Sequence, residues 1–339
     1  MGNGMLVWAR THNHVLPTVV GLVGLVATVC FWQLHFVAGL LAMTVSGFTL
    51  YVEIVTQLSF RAPPRRKPVL NKPGWEIHRL SVDGCTVQHY VWMGKPSNPV
   101  ALLLHGWTSG AVRMDGRAAS FVERGWTVVL VDLPGHGASD SLTKWSAEQC
   151  TTILLGALDQ LSERLSNRFN HGVWFYGHSI GAFIGLRISK RRGESNWAQH
   201  LRGWVFESPM TGYTEIHHET CNMLRIPSVL RPLVLSKTLR HFNALNAKAG
   251  TIKDLSEADM PRWGVPHEPV LLVQADPDER LGPSHHMRLI SSMNNDDGMN
   301  LLTVHMLPDL RHTGGYLNAP RREKVDDWLD EQLAHSSSI

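Results

Sequence analysis

Cysteine is scarce in this sequence and widely spaced: Cys30, Cys85, Cys150 and Cys221 form no CxxC pair and no dense framework. That argues against a disulfide-stapled secreted scaffold and fits a reducing compartment. Excess charge is also missing. Charged residues make up 18% of the chain and the net charge is only +3. Even that is local, because Arg10, Arg61, Arg65, Arg66, Lys67 and Lys72 face the single acid Glu53 before residue 75, leaving the remainder net acidic. A nucleic-acid partner therefore has no support. No repeat or low-complexity tract follows. A hydrophobic content of 43% is ordinary for a globular protein with a sizeable core.

The sharpest absence is of Asp, Glu, Lys and Arg from Thr11 to Val52. A spanning helix needs about 20 apolar residues, so this run suits two spans, at about 15–32 and 36–56, divided near Gln33-Leu34-His35. A signal peptide has a much shorter apolar region and a small-residue cleavage site, which is not evident here. Two spans leave both flanks on one face. Arg10 before them and "RAPPRRK" after them favour the cytoplasmic side and contact with anionic membrane lipids. The reading is thus a membrane hairpin over 1–58, a Pro-rich basic linker over 59–74, and a folded domain over 75–339.

In that domain "WEIHRLSVDGCTVQHYVWMG" predicts a β-hairpin turning at Asp83-Gly84, where both residues tolerate positive φ. Then come short apolar runs, "VALLLHG", "TVVLVDLP", "GVWFYGHS", "LRGWVFESP", "EPVLLVQA" and "LLTVHMLP", which read as buried parallel strands. Helical stripes separate several of them: Met114, Ala118, Phe121 and Val122; Leu154, Leu158, Leu161 and Leu165; Val325, Trp328, Leu329 and Leu333. The alternation predicts an α/β fold with a doubly wound, mostly parallel sheet behind an antiparallel hairpin.

Within "GVWFYGHSIGAF" a buried strand stops at Gly177, Ser179 stands between two glycines, and a small-residue helix follows. Such a turn pushes the hydroxyl out at the carboxyl edge of the sheet, beside a helix N-terminus with free N–H groups. The alternative is a Gly-Ser turn whose serine merely caps the helix. Three further segments join it in chain order. "LLLHGW" ends a strand at His105-Gly106-Trp107, "VVLVDLPGHGASD" ends the next in a Gly-rich loop, and "VLLVQADPDERLGP" and "VHMLPDLRHTGG" place acids and then His312 after the last two strands.

Together these motifs resemble the α/β-hydrolase fold family, in the branch with HGx, DxxGHGxS and GHSxG that includes monoacylglycerol lipases, serine-aminopeptidase-like hydrolases and Bem46-like membrane-anchored hydrolases. The resemblance covers about residues 75–335, and the order Ser, acid, His matches the family's triad. It implies Ser179 as nucleophile, His312 as general base, and the backbone N–H groups of Trp107 and Ile180 as the oxyanion hole. The acid falls on Asp278, with Asp276 as the alternative in register; Glu207 would serve only if the acid had migrated. Of the remaining motif histidines, His105 and His136 read as contacts that fix loop shape, and His178 as packing beside the elbow. "HHETC" and "HEPVL" both miss HExxH, so no metal or cofactor is implied.

Between two strands, residues about 210–267 form the insertion where this family carries a helical lid. Met210, Met223, Leu224, Ile226, Val229 and Leu230 make it apolar, and Pro227 and Pro232 are expected to break it into short helices. The expected activity is a membrane-anchored serine hydrolase acting on small-molecule acyl or lipid-like esters. A thioesterase acting on acylated membrane proteins, or a peptidase, is the alternative on the same fold. A non-catalytic scaffold is the third.

Overall fold

The computed structural model describes residues 15–61, 67–166, 168–294 and 301–336. The flanking Arg10, the linker residues Pro63, Pro64, Arg65 and Arg66, and the serine tail lie outside them. In chain order the helices are α1 (Val15–Leu34), α2 (Phe36–Leu58), α3 (Asp115–Glu123), α4 (Ala147–Arg164), α5 (Ile180–Arg191), α6 (Thr214–Met223), α7 (Arg231–Leu245), α8 (Pro283–Met293) and α9 (Ala319–Ser336). The strands are β1 (Trp75–Val82), β2 (Cys85–Trp92), β3 (Val100–Leu104), β4 (Thr127–Asp132), β5 (Val173–His178), β6 (Leu201–Glu207), β7 (Val270–Ala275) and β8 (Leu302–Leu307).

The chain divides into two compact units: residues up to 62 with 142–149 and 213–255, and residues 63–141 with 150–212 and 256–339. The second holds the sheet, in the order β1-β2-β4-β3-β5-β6-β7-β8. Only β2 runs against the rest, paired antiparallel with β1 and β4. Asp83 and Gly84 turn the first hairpin, both at positive φ. β3, β4, β5 and β7 are buried along their whole length, as apolar strands covered on both faces must be. β8 departs from that expectation. It is the last strand in the sheet order; only Leu302 is buried, and beyond it partly buried residues alternate with the exposed Val304 and Met306.

Trp126, Trp174 and Trp328 pack ring to ring on one face of the sheet, at centroid separations of 5.7 and 5.5 Å. Beneath the carboxyl ends of β5 and β6 lies a buried ionic group. Glu207 accepts from Arg117 through both carboxylate oxygens and from the Tyr176 hydroxyl, with Arg321 Nη1 at 3.5 Å. Burial alone would raise the Glu207 carboxyl, but Arg117 and Arg321 outweigh it and hold it far below the usual carboxylate range.

In the first unit, α1 and α2 form an antiparallel hairpin that turns at His35, whose ring accepts from the Val37 N–H at the start of α2. Gly24 lies against Ser46, and the Ser46 hydroxyl reaches the Gly24 carbonyl at 3.3 Å. Thr28, Thr44, Thr49 and Thr56 each donate to the carbonyl four residues back, so their hydroxyls need no water. In the insertion, Pro232 does not break a helix. It occupies the first turn of the 15-residue α7, where its missing N–H would have had no partner.

Removing the Glu207 carboxylate leaves Arg117 buried without its partner. Glu207→Ala should therefore destabilise the full chain by about 3–5 kcal/mol in urea denaturation.

Candidate active site

The bend after β5 has the geometry that its glycines predict. A side chain on Gly177 would lie 2.5 Å from Ala182 Cα, and one on Gly181 would lie 2.8 Å from the His105 carbonyl oxygen. With both absent, α5 begins directly against the end of β3. Ser179 pays for this with φ +54° and ψ −118°, a region that L residues avoid. Its side chain makes no capping bond to the helix, so the simple capping alternative does not describe it. The hydroxyl instead lies 3.0 Å from His312 Nε2.

On the other side of the ring, His312 Nδ1 is 2.9 Å from Asp278 Oδ2. Because a carboxylate can only accept, Nδ1 carries the proton and Nε2 is left to accept from the serine hydroxyl. Asp278 Oδ1 also accepts from the backbone N–H groups of Arg280 and Leu281, and Gln274 Nε2 donates to Oδ2 at 3.1 Å. Burial pushes the Asp278 carboxyl up, but the bonds from His312 and from those backbone groups more than reverse this, bringing it to about 2. The line Asp278–His312–Ser179 can take a proton from the hydroxyl and hold the resulting imidazolium beside a fixed anion. Asp276 holds no such place; its backbone N–H bonds to the Leu307 carbonyl. Glu207 is committed to Arg117 and Tyr176.

Trp107 stands three residues beyond the end of β3, and the Ile180 N–H opens α5 beside Ser179. His105 shapes this loop, bonding the Gly106 carbonyl through Nδ1 and accepting from the Leu133 N–H through Nε2. Burial lowers it to about 4, so it stays neutral and can play both parts. His136 packs against both His105 and Trp107. Asp132 is the staple of the Gly-rich loop, accepting from Ala111 and Ala138 N–H groups and from the Tyr90 hydroxyl.

Two contacts escaped the sequence reading. Glu279 accepts from the backbone N–H groups of His312 and Thr313, holding the histidine loop from behind. His178 bonds the His312 carbonyl through Nε2 at 3.0 Å. Burial, and then nearby Arg117, lower His178 to about 3, so it is the neutral ring that donates here. Their positions next to Asp278 and Ser179 were the available signal. A separate cavity of about 470 Å³, lined by residues including Glu76, His78, Met93 and Arg164, includes none of these groups.

Comparison with known proteins points the same way as the fold. A model of the alpha/beta hydrolase family matches residues 101–334. A serine hydrolase-like protein of Dictyostelium discoideum is 30% identical over 101 residues, which is 30% of this chain and 27% of that protein. A pimeloyl-[acyl-carrier protein] methyl ester esterase of Nitrosomonas europaea is 30% identical over 95 residues, covering 28% of this chain and 34% of the relative. The chain thus matches about a third or less of the length of these curated relatives. Among solved structures, a Pyrococcus furiosus esterase superposes with a TM-score of 0.57 at 15% identity, covering 81% of this chain and 97% of that one. A Butyrivibrio proteoclasticus protein with ferulic acid bound gives 0.52 at 18% identity, with 76% and 99% covered.

Strain at Ser179 sets one expectation. Ser179→Gly should raise the stability of the chain by about 1 kcal/mol in thermal denaturation, since relief of the backbone exceeds glycine's added unfolded-state freedom. A second follows from Asp278. Its depressed carboxyl contributes stability that is complete above the ordinary carboxylate range and is lost as pH falls from about 4 towards about 2. Asp278→Asn should flatten that part of the stability–pH profile.

Proposed function

The chain belongs to the alpha/beta hydrolase family, and from that premise we propose that it is a membrane-anchored serine hydrolase cleaving carboxylic esters of acyl or lipid-like substrates. The observation that carries this reading is the continuous hydrogen-bonded line from Asp278 through His312 to Ser179. Ser179 would attack the ester carbonyl as His312 takes its proton, giving a tetrahedral oxyanion near the Trp107 and Ile180 N–H groups. Each such donor is typically worth about 3 kcal/mol in the transition state. His312 then returns the proton to the leaving alkoxide, and the acyl-enzyme forms. Water, activated by the same ring, releases the acid. Retention of all three groups in bonding geometry speaks against a scaffold that has lost its chemistry.

The membrane part of the reading rests on α1 and α2, whose most apolar windows have mean hydropathies of 2.2 and 1.6. Their outer faces present Leu22, Val23, Leu25, Val26, Val37 and Leu41 uncovered, which suits lipid and not water. With both flanks of the hairpin on one side and basic residues in them, this reading puts the catalytic unit in the cytoplasm.

The same acyl-enzyme chemistry serves thioesters and amides, so a matched ester, thioester and aminoacyl-amide panel decides the acyl donor. The core test is kinetic. Ser179→Ala and His312→Ala should each lower kcat on nitrophenyl esters by up to about a million-fold, and the double variant should lose almost nothing more. Asp278→Asn should lose on the order of ten-thousandfold. A rate maximum on long acyl chains would identify lipids as the substrate class; a maximum on very short chains would redirect the reading to small esters.

A further inference from the structure

Glu53 is a carboxylate within the second apolar helix. A charge there is tolerated only when it is paired. Glu53 is almost fully enclosed, and two of its three side-chain partners, Lys237 and His241, come from the insertion. Lys237 Nζ on α7 donates to Oε2 at 2.8 Å, and Gln57 Nε2, one turn on, donates to Oε1 at 2.6 Å. His241 Nε2, also on α7, lies 3.3 Å from Oε1. Lys144 Nζ lies 3.2 Å from His241 Nδ1, and since an ammonium only donates, Nδ1 accepts and Nε2 carries the proton, facing Glu53 Oε1 with Gln57 Nε2 also 3.3 Å away. Around this chain of charges Val52, Val55, Cys221, Ile226 and Val234 close an apolar cluster. The last turns of α2 are therefore bound to protein on one face, while Ile54 and Leu58 remain exposed on the other.

This lock fixes the height of the insertion. α2 has 23 residues, about 34 Å of helix against a hydrocarbon core of about 30 Å, and Glu53 lies five residues, about 7.5 Å, before its end. Whatever holds Glu53 sits at the membrane boundary. There the insertion turns out Met223, Val229 and Leu233, exposed by 75%, 80% and 42%. Arg225 and Arg231 lie among them. Apolar side chains interleaved with guanidiniums at this depth match an interfacial element.

We propose that the segment Met223–Leu233 is a lipid-docking surface: Met223, Val229 and Leu233 enter the acyl boundary of the bilayer that holds α1 and α2, and Arg225 and Arg231 meet its phosphates. The occupant is the bilayer because α2, which the lock joins to this segment, already places the segment at its surface. The inference rests on the membrane reading above, and its test separates the two.

The full chain carrying Cys30→Ser is labelled with an environment-sensitive nitrobenzoxadiazole at Leu25→Cys, Val229→Cys or Asp327→Cys, in vesicles of phosphatidylcholine and phosphatidylglycerol; Cys85, Cys150 and Cys221 are buried. The label at 229 should be quenched by lipid bearing a nitroxide high on the acyl chain, and should be at least about threefold less open to iodide than the label at 327. If the label at 25 is lipid-quenched while that at 229 meets iodide as freely as 327, docking is refuted and the membrane span stands. Iodide access at 25 removes both. Shielding of 229 from iodide and nitroxide lipid alike means that a protein surface covers it, which also overturns the proposal. Glu53→Ala should open position 229 to iodide while leaving 25 unchanged; no change at 229 would contradict the lock.

Discussion

The chemistry proposed for this molecule depends on one serine held in a backbone conformation that its side chain disfavours. At φ +54° the chain turns from β5 into α5 abruptly enough to bring the hydroxyl within 3.0 Å of an imidazole 133 residues away. Strain of this kind costs about 1–3 kcal/mol. It persists because both sides of the bend are fixed. β5 is buried along its length between β3 and β6, and α5 buries Ile180, Phe183, Ile184 and Leu186. Each large side chain so buried contributes about 1.5–3 kcal/mol, enough in combination to hold the turn.

The other participants arrive on loops, and the structure restrains each loop by more than one bond. Asp278 is fixed by two backbone N–H groups before it meets His312. His312 is held through its N–H by Glu279 and through its carbonyl by His178. Below them the Arg117–Glu207–Tyr176 group satisfies a full charge at the carboxyl end of β6, where an unpaired one would disturb the site. In the proposed reaction, preorganisation of this sort would let a neutral hydroxyl act as a nucleophile without large rearrangement.

How much of this could be read from the sequence differed by residue. The sheet and its hairpin were legible because apolar runs and turn residues carry their own periodicity. Ser179 was legible because a strand, two glycines and a helix stand next to it in the chain. His312 and Asp278 had no local mark; only their order after successive strands singled them out. The exposure of β8 was hidden because an edge strand and a buried one can share the same apolar spelling. Pro232 was misplaced because a proline that starts a helix and one that ends it look alike without the dihedral. Glu53 was opaque for a simpler reason: Lys237 lies 184 positions away, and no local pattern links them.

In the first unit the final turns of the α1–α2 hairpin complete the core of the insertion through Val52 and Val55. The central claim remains the activated serine. Incubating the folded chain with a fluorophosphonate and mapping the adduct by mass spectrometry tests it most directly. The account predicts one covalent adduct, on Ser179, lost when His312 is replaced by alanine. A folded chain that stays unmodified, or that carries the adduct on another residue, would contradict it.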